Sequence, residues 1–213
     1  MVARPLKSKR DIILNSAKKL FAERGYENTS VRDIVQAANT SMGNLYYHFP
    51  NKLEILKIIC MDFVNILRQQ IYKIHDLGLS PAVGFALDFR IGYITTLEHP
   101  KTSRFWIASR NISEIHQLSL ENKRIRLKTF FNDRLSDDEI ELLAIAIQGI
   151  ADGIFEQKRE GKIRGNSSRL SNAIIDYSLR LFGYSTQEIQ SVLKEVEQYI
   201  DEHHITIDEY FGF

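Results

Sequence analysis

An all-α fold is predicted by three observations. Apolar residues recur along the chain at spacings of three and four, and no stretch shows the period of two that a half-buried strand requires. Cap signals punctuate that pattern: Asn51-x-x-Glu54, Ser136-x-x-Glu139 and Ser185-x-x-Glu188 open helices, and Gly25, Gly78, Gly161 and Gly183 close them. Between Thr29 and Pro50 stand two very short helices joined by a tight turn. The second has too little apolar surface to be stable alone, so a scaffold must hold it.

The elements follow in order. Ile13, Ala17, Leu20 and Phe21 share one face of a first helix, which Gly25 ends. Val31, Ile34, Val35 and Ala38 repeat the stripe over a shorter span, with Thr29 or Ser30 as cap and Asp33 placed to return a hydrogen bond. Ala37-Ala38-Asn39-Thr40 is small enough for a close turn, and Asn39 tolerates a left-handed backbone. Ser41 caps a third helix in which Leu45 and Phe49 point to the scaffold. That leaves Met42, Gly43, Asn44, Tyr47 and His48 on the free side, with Tyr46 at its edge, until Pro50 stops the helix. A long helix then carries Leu53, Leu56, Ile59, Cys60, Phe63, Leu67 and Ile74.

Beyond Gly78 the chain stays helical. Ser80-Pro81 reads as a cap with proline in the first helical position, and that helix runs toward Pro100 with Phe85, Phe89 and Ile94 inward. A short segment over 102–109 carries Phe105 and Trp106, and a helix over 113–132 ends in Phe130-Phe131. The helix opened by Ser136 is the most apolar, through Leu142, Leu143, Ile147, Ile150 and Ile154. After a polar loop over 161–168, Leu170, Ile174, Tyr177 and Leu181 define another helix. The last carries Ile189, Val192, Val196 and Tyr199.

Composition narrows the function. The net charge is only +1, but residues 1–59 hold ten Lys/Arg and five Asp/Glu against 18 and 22 in the remainder, so a head of +5 precedes a body of −4. A basic head on an acidic body suits a DNA reader with a separate module. Arg4, Lys7, Lys9 and Arg10 form a basic N-terminal arm, equally consistent with a solvated tail and with phosphate or minor-groove contact. No apolar run is long enough for a membrane span, and the N-terminus has no signal-peptide core. The single cysteine, Cys60, fits a core position and a reducing cytoplasm. Glycine-rich phosphate loops, HExxH, nucleophile elbows and Cys/His clusters are all missing from the sequence, so neither an enzyme nor a metal or cofactor site is expected.

Leu20-Phe21-Ala22-Glu23-Arg24-Gly25-Tyr26, Thr29-Ser30-Val31-Arg32-Asp33-Ile34 and Gly43-Asn44-Leu45-Tyr46-Tyr47-His48-Phe49, with Lys52, resemble the DNA-binding domain of the TetR family of transcriptional regulators over residues 8–68. The resemblance implies a three-helix helix-turn-helix DNA-binding domain over 1–52, or to about 68 with the start of the connecting helix. A helical effector-binding and dimerisation domain then covers 53–213. It further implies a cytoplasmic, all-α homodimer that binds operator DNA and is released by a small-molecule effector. One probe reads too few base pairs for a genomic address. Two probes about one helical turn apart on a pseudo-palindrome roughly double the recognition energy.

Residue roles follow from side-chain chemistry at the matched positions. Ser41, Asn44 and the Gly43 backbone are expected at base edges or adjacent phosphates, and Tyr47, His48 and Lys52 at phosphates. Tyr46 and Arg32 are further candidates. Met42, where the family often has Lys or Arg, fits a thymine methyl. For the effector, Phe85, Phe89, Tyr93, Phe105, Trp106 and Phe131 supply aromatic surface, and Arg110 and Gln148 polar anchors. Such a pocket favours a flat, largely apolar ligand. Ala144, Ala146, Gly149, Ala151 and Gly153 place small residues inside one helix, where two glycines cost about 2 kcal/mol. Close approach of another helix explains them. The resemblance assigns that approach to a dimer interface of Ala146, Gly149, Ile150, Gly153, Ile174, Tyr177 and Leu181, with packing inside one subunit as the alternative. A second reading of the whole chain is a DNA binder with no small ligand, acting through protein partners or as an architectural factor.

Overall fold

The structure, a computed structural model, describes residues 8–97, 112–132 and 134–203. Among them are nine helices and no strand: α1 (Lys9–Arg24), α2 (Val31–Ala37), α3 (Met42–His48), α4 (Lys52–His75), α5 (Pro81–Leu97), α6 (Ser113–Phe131), α7 (Asp137–Arg159), α8 (Ser167–Leu181) and α9 (Thr186–His203). Arg4, Lys7, Phe105, Trp106 and Arg110 lie outside the described residues.

The local signals form as the sequence predicts. Ser30 and Asp33 make a reciprocal capping box, as do Ser136 and Glu139, and Ser8 with Asp11 forms another, not among those expected from the sequence. Ser185 and Glu188 exchange the same pair of bonds. Asn39 takes φ 46°, a value few side chains other than Asn accept. The helix expected from about Leu170 begins earlier, because Asn166 accepts from the Arg169 N–H and starts α8 at Ser167.

The chain forms two compact units, and α4 and α6 each contribute residues to both. In the first, α1, α2 and α3 pack on one another. Their core is Ile13, Ala17, Phe21, Ile34, Leu45 and Phe49, joined by Ile55, Leu56, Ile59 and Cys60 of α4 and by Ile115. Lys57 adds a tie, pairing with Glu54 and with Glu114 at 3.0 Å each. In the second unit α5 is central, packed against α8 and α9, while α7 packs on α8. Val83, Phe85, Leu87 and Phe89 of α5 meet Leu127, Phe130 and Phe131 of α6, Ile140, Ala144 and Ile147 of α7, and Ile174 and Ile175 of α8. The absence of a side chain at Gly84 permits the close approach of α6. A Cβ there would lie 2.6 Å from Phe130 Cε1.

This second core is not uniformly apolar. Asp88, Arg90, Lys123, Arg126 and Gln148 are all buried in it. Arg126 donates through Nε to Asp88, and Arg90 reaches Asn172 and Glu197. Lys123 donates to Gln148 and Ser119. Burial pushes the Asp88 carboxyl above its ordinary range, against the opposing pull of Arg126.

Candidate nucleic-acid interface

A seven-residue helix must be held at both ends, and α3 is. Leu45 and Phe49 are fully buried, anchoring one face to the scaffold core. At the N-terminus, Ser41 Oγ accepts from the Asn44 N–H at 3.2 Å. The turn from α2 is closed by the Thr40 N–H donating to Val35 O at 3.1 Å. Phe49 N–H donates to Leu45 O at 2.8 Å, and the Arg10 guanidinium lies 5.3 Å from the Phe49 ring centroid. The Asp33 carboxylate that fixes the start of α2 is held below the ordinary range by its hydrogen bonds from the Ser30 hydroxyl and N–H.

The opposite face of α3 is open. Tyr47 is 83 % exposed, and Met42, Gly43, Tyr46 and Ser41 are exposed with it, as is Arg32 on α2. Tyr47 and His48 meet edge to face at 5.0 Å, which leaves the Tyr47 phenol projecting and His48 half-buried. A Cβ at Gly43 would meet nothing within 4 Å, so this position admits close approach of a backbone or base.

Two residues are engaged in ways their sequence positions do not announce. Asn44 is half-buried, and its Nδ2 donates to Thr40 Oγ1 at 2.7 Å. This fixes the amide rotamer and leaves the Asn44 oxygen as an acceptor. Lys52, expected at a phosphate, instead donates through Nζ to Tyr26 O at 2.8 Å and Thr29 O at 2.9 Å, over the Tyr26 ring at 4.1 Å. These bonds lash the start of α4 to the loop between α1 and α2, so the ammonium acts here as a brace. Thr40 could have been found from its four-residue spacing to Asn44; the carbonyl partners of Lys52 lie 23 and 26 residues away and leave no such trace.

The described residues among those expected at the effector site and at the dimer face belong to the second unit. Phe85, Phe89, Tyr93 and Phe131 are buried together, with ring centroids 5.6 Å apart for Phe85–Phe131 and 6.0 Å for Phe85–Phe89. Phe182, not expected there, lies 4.7 Å from Phe131. Gln148 accepts from Ser119 Oγ at 3.1 Å and donates to Asp152 at 2.9 Å. Gly149, Gly153, Tyr177 and Leu181 are exposed, and Ala146 and Ile150 are partly so. Ile174 corrects the expectation: it is fully buried in its own unit, because the face of α8 that carries it turns toward α5. Leu142, one of the apolar residues of α7, is 68 % exposed, and Ile145 is exposed beside it.

Residues 13–59 match the family described as bacterial regulatory proteins, tetR family. Over 149 residues the chain is 27 % identical to the HTH-type transcriptional repressor KstR2 of Mycolicibacterium smegmatis, covering 70 % of this chain and 68 % of that one. It is 36 % identical over 80 residues to KstR2 of Mycobacterium tuberculosis (strain ATCC 25618 / H37Rv), a match spanning 40 % of that protein. Its fold is similar to that of RolR in complex with resorcinol, with TM-score 0.68 and 19 % identity over 87 % of this chain and 92 % of that one. The matched segment takes in all of α2 and α3 with the turn between them, the part of the molecule whose open face has just been described, and it is this segment that is similar to the tetR family of bacterial regulatory proteins.

Proposed function

We propose that this regulator is a repressor that binds a pseudo-palindromic operator as a homodimer and leaves it when a small effector binds the second unit. The observation that carries the DNA half is the open face of α3, where an exposed phenol and a glycine stand on a helix fixed at both ends by a cap and two buried anchors. Such a helix fits the major groove, with Tyr47, His48 and Arg32 toward phosphates and Asn44, Met42 and Tyr46 toward base edges. Residues 1–52, with the start of α4, serve as the reading domain and the rest as effector and dimerisation domain, acting in the cytoplasm where the DNA is.

Two features support the dimer. A Cβ built at Gly149 or Gly153 would meet nothing within 4 Å. Packing inside one subunit therefore gives no reason for glycine at either place among the described residues. The same side of α7 carries exposed Leu142 and Ile145, and α8, packed on α7, presents exposed Tyr177 and Leu181. Two copies of this four-residue face related by a two-fold axis would cover it. A small effector is supported by the aromatic cluster around Phe85 and by the resorcinol bound to the structurally similar RolR.

Selection from random duplexes, followed by footprinting of genomic DNA, tests the reading. The expected product is an inverted repeat, with Tyr47→Ala lowering affinity about tenfold for all sequences and Asn44→Ala changing preference at one base pair per half-site. No enrichment at low ionic strength would overturn it.

A further inference from the structure

Within the second unit, α5 and α6 enclose a polar group that the packing alone leaves incomplete. Arg126 of α6 is 7 % exposed and Asp88 of α5 is 1 % exposed. Of the five guanidinium donors, only Nε of Arg126 is used, on Asp88 Oδ2. The other Asp88 oxygen accepts from Gln70 Nε2 at 3.4 Å. The Nη1 and Nη2 groups of Arg126 donate to no described residue. The guanidinium lies over the Phe89 ring, 5.1 Å from its centroid. Beside Nη2 stands Gly92, where even an added Cβ would remain 4.0 Å away, so backbone rather than a side chain borders that edge of the fork.

One turn earlier on α6, Asn122 is 5 % exposed and its Oδ1 is shut from solvent with no hydrogen-bond partner. An amide so placed costs about 1–3 kcal/mol. The half-used guanidinium of Arg126 stands beside it, with Nη1 and Nη2 left to donate to a partner. The unit's buried charged residues, among those described, are Arg90, Lys123 and Arg126 against Asp88 alone. Arg90 is turned to Asn172 and Glu197. The open Nη1–Nη2 edge of Arg126, four residues from the unpartnered Asn122 Oδ1 on the same helix, therefore suits an incoming negative charge.

We infer that the effector is a small organic acid whose carboxylate pairs with the Nη1–Nη2 fork of Arg126, whose hydroxyl or N–H donates to Asn122 Oδ1, and whose flat apolar body lies among Phe85, Phe89 and Tyr93. The planar fork matches a carboxylate in two parallel bonds, which a neutral oxygen cannot replace. The inference rests on the regulatory reading and sharpens its effector from an apolar molecule to an anionic one with an aromatic body.

Calorimetric titration of the full chain tests it, using 2-, 3- and 4-hydroxybenzoate, 4-hydroxyphenylacetate and indole-3-acetate as probes, each beside its methyl ester. At least one acid binds ten times or more tighter than its ester, and removing that acid's hydroxyl or N–H weakens it by fivefold or more. The double variant Arg126→Met/Asp88→Asn, which leaves no buried charge unpaired, abolishes the acid-over-ester preference. Asn122→Leu, which breaks no hydrogen bond of the free protein, keeps the charge preference and loses the hydroxyl preference. Esters binding as well as acids, a preference that survives in the double variant, or no binding by any acid at 1–10 mM each overturn the inference. Duplex selection is run in parallel on the ligand-free protein. An operator recovered there while the acids fail sinks the organic acid and leaves the regulator standing.

Discussion

Lys52 offers the sharpest separation between two physical roles, because a phosphate clamp and a structural brace make opposite predictions for Lys52→Met. Methionine retains most of the apolar stem, so packing along α4 is nearly conserved. What is lost is the pair of charge-assisted bonds to Tyr26 O and Thr29 O, at 2.8 and 2.9 Å, and the ammonium over the Tyr26 ring at 4.1 Å. Bonds from a charged donor contribute about 1.5–3 kcal/mol each when buried. Lys52 is only half-buried, and water can hydrate the freed carbonyls, so the pair together is worth about 2 kcal/mol, with up to about 1 kcal/mol more from the ring. A loss of about 2–3 kcal/mol lowers the thermal midpoint by about 4–12 °C for a chain of this size. Differential scanning calorimetry, with tryptic sensitivity of the α1–α2 loop as a local readout, measures it. Operator affinity well below the midpoint then changes little, and its dependence on salt keeps the same slope. An unchanged midpoint, together with a log–log salt slope flattened by about 0.9 per half-site, would refute the brace and restore Lys52 to a phosphate.

Two further outcomes follow from other parts of the molecule. Leu142, Ile145, Tyr177 and Leu181 together leave the equivalent of roughly two whole side chains in water per protomer, worth on the order of 3–6 kcal/mol if a second copy covers them. Ile145→Glu should therefore yield monomers in sedimentation velocity with the helical content intact, and a dimer persisting at micromolar concentration would remove this face from the interface. The pH dependence has a definite sign. Asp33, Glu139 and Glu188 are held below their ordinary range, chiefly by hydrogen bonds from Ser30, Ser136 and Ser185. Their contribution is full above the unfolded carboxylate values near pH 4 and is lost as pH falls through the lower folded values. Buried Asp88, shifted upward, has the opposite sign: its unfavourable ionisation is relieved by acid. Urea midpoints at pH 6 and pH 3 should thus differ less in Asp33→Asn/Glu139→Gln/Glu188→Gln than in the wild type. An equal or larger difference would exclude the caps as the source of acid sensitivity.

What the chain specifies without tertiary information is whatever acts within a few residues. The Ser30–Asp33, Ser136–Glu139 and Ser185–Glu188 caps, the left-handed Asn39 and the anchoring pair Leu45 and Phe49 all form as spacing predicts, because each bond or face closes over three or four positions. From those signals the helices and the open face of α3 could be read directly. Longer-range decisions could not. Lys52 finds its carbonyls 26 and 23 residues away, and Arg126 meets Asp88 across 38. The inward turn of Ile174 and the outward turn of Leu142 depend on where α5 and α7 lie, since both sides of α7 and the stripe of α8 are apolar in sequence alike. A periodic pattern says that a helix has a face to cover. Only the packing of its neighbours decides which face is covered within the chain and which is left for a second molecule.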